Sequence, residues 1–294
     1  MQYARAMTDL EKPGPLQPSL LALFAHPDDE AFSSGGTLAH YATLGVRVHL
    51  ICTTRGEVGK ITDPELGEVT DVGAFREQEL RRACEALGIE APTFLDYHDS
   101  GRLERLQNDD PLASINADPL EMEAQILEVL KDVKPQVMLT FDPHGGYGHP
   151  DHLVIHRAAL GAFFQAGRLE HVPQRLFYTA RTFEDMEKMA ARAGENPANG
   201  NRGPFNGLDP RVYGVSSDTL AVLLDVSHTM EQKKAAVFAH RSQIGPNSAF
   251  ANMQPERMND FFGSEGFALG GSRGPILNYP LRGFFDGLGF DGLE

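Results

Sequence analysis

Along the chain, short runs of contiguous apolar residues alternate with longer stretches whose apolar positions recur every three or four residues. The runs LLALFA (20–25), VRVHLICTT (46–54), PTFLDY (92–97), QVMLTFD (136–142), RLFYTA (175–180) and TLAVLLDV (219–226) predict strands. Between them GGTLAHYATLG (35–45), GAFREQELRRACEALGI (73–89), PLEMEAQILEVLKDV (119–133), DHLVIHRAALGAFFQAG (151–167) and SHTMEQKKAAVFAHRSQ (227–243) carry helical spacing. Strand-helix alternation of this kind predicts an α/β fold: a Rossmann-like, mostly parallel sheet with helices on both faces. Polar loops at the carboxyl ends of four of these strands are expected to converge on one rim.

The pattern loosens at both ends. Residues 1–19 form a Pro-containing lead-in, and 20–294 is expected to be one domain with a C-terminal extension. A Gly/Asn/Pro-rich stretch at 181–214 predicts a long excursion over the rim. Beyond Gly245 the tail carries Phe250, Phe261, Phe262, Phe267, Phe284, Phe285 and Phe290. Such aromatics suit packing against the domain or against a second subunit, which leaves a homo-oligomer open.

With 294 residues the chain can bury a large core, so size does not limit the fold. A formal net charge of −15 argues against nucleic acid, because backbone affinity comes from cations neutralising phosphates. Neither a signal-like apolar segment nor a membrane-length run is evident, so membrane partners are not expected and the cytoplasm is the expected location. Cys52 and Cys84, the only cysteines, are read as buried free thiols.

Candidate chemistry concentrates in two loops. The first strand runs into AHPDDE, which puts His26, Asp28, Asp29 and Glu30 directly behind buried residues. Taken alone, these acids suit a helix start, with an Asp as N-cap. The stretch DPHGGYGHPDH after the fourth strand then supplies His144, Tyr147, His149, Asp151 and His152. Two separate turns that bring imidazole and carboxylate to one rim point instead to a metal. His26 and Asp29, spaced i, i+3 through a turn, can bend toward one point, and His152 would complete a three-ligand set with a fourth position for water. A rival set pairs His152 with His156 at i, i+4, but Leu153 stands where a zincin motif needs Glu. Zinc suits these ligand types, one ion per chain, and another divalent metal remains compatible.

These two motifs resemble those of the LmbE-like, or PIG-L, family of zinc-dependent N-acetylglucosamine deacetylases, and the resemblance extends more loosely over about 20–243. Within the family, GGYGHPDH is closer to the deacetylases of N-acetylglucosaminyl-inositol in mycothiol biosynthesis than to the related conjugate amidases, a distinction carried by Gly148. The resemblance implies His26, Asp29 and His152 as zinc ligands and Asp28 as general base. It implies His149 as oxyanion stabiliser and Tyr147 as a mobile helper; Asp151 is expected to favour a charged His149. Glu57, Arg76 and Asp99 match positions the family uses for substrate contacts.

The expected activity is therefore removal of acetyl from an N-acetylglucosamine-type small molecule, an aminosugar conjugate whose aglycone the loops do not reveal. One alternative is an amidase that releases a larger acyl group from an aminosugar-thiol conjugate. The other is a non-catalytic sugar-binding α/β domain whose acid-histidine turns are structural.

Overall fold

The computed structural model describes residues 17–192, 208–246, 248, 253–276 and 278–293. Seven strands form one sheet: β1 (Ser19–Phe24), β2 (Arg47–Cys52), β3 (Thr93–Phe94), β4 (Val137–Thr140), β5 (Arg175–Ala180), β6 (Leu220–Asp225) and β7 (Ser264–Ser272). Their order is β3-β2-β1-β4-β5-β7-β6, and the first five pair in parallel, as the alternation predicts. The main helices are α1 (Asp29–Thr43), α2 (Val72–Leu87), α3 (Pro119–Val133), α5 (Pro150–Gln165), α6 (Phe183–Arg192), α7 (Met230–Ala239) and α8 (Pro255–Phe262). A single irregular turn, α4 (Gly145–Gly148), precedes α5 and leaves helical geometry at Gly146 and Tyr147.

Local chemistry explains most of these boundaries. β1 and β4 are buried along their whole length, as expected of strands covered on both faces. The helices α1, α2 and α7 pack together, and α3 packs with α5. The carboxylate of Asp71 accepts the Ala74 N–H at the start of α2, and Gly88 ends that helix in the left-handed region at φ 72°. Asp118 caps α3 ahead of Pro119 at its first position.

The sheet departs from the sequence pattern in its short and antiparallel strands. PTFLDY contributes only Thr93–Phe94, an edge strand paired with β2 through two residues. α1 begins at Asp29, earlier than the apolar spacing from Gly35 suggests. The excursion at 181–214 is anchored by a bridge between Thr182 and Val215 and contains α6, while 193–207 lie outside the described residues. The Phe-rich tail supplies α8 and β7, and β7 runs antiparallel between β5 and β6. Phe262, Phe267, Phe284 and Phe285 are buried within this chain, and Phe250 lies outside the described residues.

The chain winds outward from β1 to β2 and β3, then returns to place β4 on the other side of β1. Ligand sites of open α/β sheets form at such a reversal, beyond the carboxyl ends of the strands. The residues after β1 and after β4 therefore face each other across it. No helix among the described residues is long and apolar enough to cross a membrane.

Candidate metal and catalytic site

Two imidazoles and a carboxylate converge at this reversal. His26 Nδ1 stands 3.3 Å from His152 Nε2, Asp29 Oδ1 stands 3.3 Å from His152 Nε2, and Asp29 Oδ2 stands 3.4 Å from His26 Nδ1. Ligand atoms held at about 2.0–2.2 Å by a tetrahedral divalent ion stand roughly 3.3–3.6 Å apart. The two imidazole nitrogens have that spacing, and each ring faces one oxygen of the Asp29 carboxylate at a similar distance.

The proton positions agree. His26 Nε2 lies 2.9 Å from Asp151 Oδ2, an acceptor, so in the neutral ring the proton sits there and Nδ1 carries the lone pair. His152 Nδ1 lies 3.0 Å from the Gly145 carbonyl, which assigns the lone pair to Nε2. Two lone pairs and a carboxylate then face one another, an arrangement that a cation relieves. Burial lowers the His26 pKa, but Asp151, Asp29 and Asp99 outweigh it and hold it well above its usual value. The same carboxylates favour a divalent cation between the rings.

Other nearby groups are committed elsewhere. His149 forms a cluster with His26 and His152, and Asp99 and Asp151 form another with His26, each with ligating atoms within 4.8 Å of one another. His149, however, uses Nδ1 to accept the Asp151 N–H at 3.2 Å and so caps α5. His156 donates Nδ1–H to the Phe141 carbonyl at 2.8 Å, and among the described residues no cluster of ligating side chains includes it, which disfavours the rival pair of His152 with His156.

Several sequence expectations need correction. Asp151 does favour a charged His149 but is outweighed; its carboxylate is fully buried and takes His26 Nε2, the Ser100 N–H and the Ser114 hydroxyl. Burial, with His26 and His152 adding repulsion, pushes His149 down to about 3, so it is a neutral ring whose Nε2–H is the donor. Asp28 occupies the N-cap position of α1 with Asp29 and Glu30 in its first turn, as a helix start predicts, but its side chain makes no capping hydrogen bond. Burial raises its carboxyl to about 6, with Arg76 pulling down and Asp29 pushing up.

Arg76 is committed within the chain. Only 3% exposed, it donates to the Gly56 and Pro27 carbonyls and, at 3.3 Å, to Asp28 Oδ2. Asp99 is likewise turned inward, accepting the Val58 and Gly101 N–H groups and lying 3.5 Å from His26 Nε2. Glu57 is only partly buried and accepts the Asp99 N–H at 3.0 Å.

Tyr147 lies between two glycines of positive φ, Gly146 at 67° and Gly148 at 79°, which permit the turn that carries it into the cavity. The Arg102 guanidinium sits 5.0 Å from its ring centre and donates to its carbonyl. From the ligand triangle a cavity of about 290 Å³ extends past Phe32, Met186, Met189 and Phe261. Its lining includes Arg181 and the buried Lys233–Glu265 pair, and no sequence signal marked either. Ser100, Ser114 and Arg102 were also missed, because each acts on a residue far away in sequence.

The family pattern described as GlcNAc-PI de-N-acetylase, PIG-L, matches residues 21–163. A 1D-myo-inositol 2-acetamido-2-deoxy-alpha-D-glucopyranoside deacetylase of Salinispora arenicola is 36% identical over 270 residues, covering 87% of this chain and 86% of that protein. The chain belongs to the PIG-L family. Its similarity to the protein of the same description from Thermomonospora curvata, 34% identical, spans 94% of this chain and 98% of that one. Among solved structures, the N,N'-diacetylchitobiose deacetylase of Pyrococcus horikoshii is 22% identical with a TM-score of 0.56, covering 89% and 87% of the two chains. The 4-carboxy-2-hydroxymuconate hydratase GalB of Pseudomonas putida is 19% identical with a TM-score of 0.55, covering 88% and 99%. These two show the fold alone, and one fold that carries both names does not choose a reaction. PIG-L membership and the chemistry of the site agree on hydrolysis of a carbon–nitrogen amide bond.

Proposed function

We propose that this chain is a zinc-dependent N-deacetylase that removes acetyl from an N-acetylglucosamine conjugate, a small molecule. The observation that carries the reading is the triangle of His26, Asp29 and His152 with Asp28 beside it. Two imidazole nitrogens and a carboxylate at tetrahedral spacing suit zinc with one position open. A bound zinc ion supplies Lewis acidity, lowering the pKa of water toward about 7 and polarising the amide carbonyl.

The chain's own residues do the rest. Asp28, raised to about 6, is a base matched to near-neutral pH and takes the proton of the attacking water. His149 Nε2–H and the Tyr147 hydroxyl are the donors for the oxyanion, each worth about 3 kcal/mol where aligned. Protonation of the departing amine is assigned to Asp28, which by then carries the water's proton. His149 has no proton to spare, because the Asp151 N–H occupies its other nitrogen.

The relatives of Salinispora and Thermomonospora support N-acetylglucosaminyl-inositol as the first substrate to test. The buried free thiols of Cys52 and Cys84 suit a reducing compartment, and the cytoplasm is the proposed location. The cavity of about 290 Å³ is far larger than an acetyl methyl and favours one second reading, an amidase releasing a bulkier acid. The test is to incubate the zinc-loaded protein with N-acetylglucosaminyl-inositol and with a bulkier N-acyl analogue, and to identify the acid released. Acetate formed by the native protein and not by Asp28→Asn supports the deacetylase. Turnover of the bulky analogue alone selects the amidase, and no acid from either substrate would sink both.

A further inference from the structure

Asp28 holds a backbone conformation that costs free energy. Its φ of 121° with ψ of −27° crowds the Cβ, and residues in such regions cost about 1–3 kcal/mol unless their surroundings fix them. Two clamps surround it. Arg76 is the first, through the Pro27 carbonyl and Asp28 Oδ2.

The second clamp comes from the far end of the fold. Glu30 Oε2 accepts the Asp28 N–H at 3.1 Å, and Glu30 Oε1 lies 2.7 Å from Nε2 of His240, just beyond α7 and 210 positions later. Glu30 is 1% exposed and His240 is fully buried. Among the described residues His240 Nδ1 meets no partner, and the one polar contact of this ring is with Glu30. The segment after His240 is itself anchored: the Ser242 N–H and hydroxyl donate to the Glu79 carboxylate on α2, and the Ser242 carbonyl accepts the Thr62 N–H. His240 is therefore held from α2 and cannot follow Glu30 if Glu30 moves.

We propose that His240 is a positioning residue for Asp28, holding the backbone of the base in place through Glu30. The inference rests on the reading of Asp28 as general base. Without His240, the buried Glu30 carboxylate keeps a single backbone donor and turns toward water or another partner. Asp28 N–H then loses its acceptor, its strained turn relaxes, and its carboxylate leaves the line of attack. The ligand triangle is held by separate contacts: Asp29 Oδ2 takes the His26 N–H, His26 is held by Asp151, and His152 by the Gly145 carbonyl. None of these passes through Glu30 or His240, so the metal stays.

The test uses the full chain, zinc-loaded, with His240→Gln, His240→Leu and His240→Asn. Glutamine can still donate an N–H to Glu30 and is expected to keep kcat within about threefold. Leucine is expected to lower kcat roughly 100-fold, the scale of an ångström-sized misplacement, with KM and zinc content unchanged. Asparagine, polar but too short to reach Glu30, carries the same expectation where the leucine variant does not accumulate as folded protein.

Independently of turnover, exchange of the Asp28 amide hydrogen, followed by NMR, should be at least about tenfold faster in the leucine and asparagine variants and unchanged in the glutamine one. Native kcat and native protection in the leucine or asparagine variant overturn the proposal. So does loss of zinc in step with kcat, since the pair would then serve the ligand Asp29. A native protein that releases no acid would defeat the hydrolase reading by itself, because amide exchange still decides whether His240 holds Asp28.

Discussion

The tripeptide His-Pro-Asp occurs at His26–Asp28 and again at His149–Asp151, at two strand ends on the same rim, and the two copies have different tasks. α1 begins three residues after His26, whereas α5 begins one residue after His149. That difference of two positions redirects every side chain. His149 falls on the N-cap and uses Nδ1 on the Asp151 N–H, while Asp151 points back from the first turn and holds His26. His26 lies clear of its helix with Nδ1 free to bind metal, and Asp28 reaches the N-cap position without capping anything. Helix phase decides the role of each residue, and composition does not.

The comparison can be broken at either copy. The largest effect is expected around the first: His152→Ala removes a ligand, so zinc by elemental analysis and acetate release should both vanish. Asp28→Asn should keep one zinc per chain and lose roughly 10³-fold in kcat. Equal metal loss in the two variants would erase the distinction between ligand and base.

At the second copy, His149→Asn tests whether capping and catalysis separate. Asparagine caps well, so urea unfolding should be unchanged, whereas kcat should fall roughly 100-fold for want of the Nε2–H donor. His149→Ala should show the same kcat loss together with about 1 kcal/mol of destabilisation. Asp151→Asn probes the link between the copies, and zinc affinity measured by chelator competition should weaken about 10–100-fold, the usual cost of losing a partner behind a ligand. An unchanged affinity would mean that Asp151 does not orient His26.

The smallest effect concerns stability against pH. Burial lowers the His240 pKa, but Glu30 and Asp28 raise it more, against Arg76, leaving it above its unfolded value. A raised histidine stabilises fully below its unfolded pKa of about 6.5 and loses that contribution as pH climbs through the folded value. Unfolding free energy should therefore fall as pH rises from about 6 through that window, and His240→Gln should flatten this part of the profile. A profile identical in both proteins would show that the pair adds no pH-linked stability.

Much of the architecture was legible in the chain itself. Apolar runs placed β1, β2, β4, β5 and β6, most plainly β1 and β4, because fully buried parallel strands leave a contiguous apolar record. β7 left none. SEGFALGGS is a strand because β5 and β6 flank it, and its glycines are demanded by neighbours: a Cβ on Gly270 would lie 2.3 Å from Tyr178 Cζ, and one on Gly271 would lie 2.7 Å from Phe163 Cε1. Those neighbours come from β5 and α5, and nothing local announces them.

The site divides in the same way. The chain alone determined which residue types gather at the rim, since His26, Asp28 and Asp29 follow one strand end and Tyr147, His149, Asp151 and His152 follow another. Tertiary structure alone decided which atom meets which. Arg76 reads as a substrate contact and is buried against Asp28; Asp151 reads as the partner of His149 and also holds His26; Glu30 finds His240 across 210 positions. Spacing along a turn sets the direction in which a side chain leaves the backbone, whereas its partner depends on sheet order and helix phase, which arise only when distant segments pack.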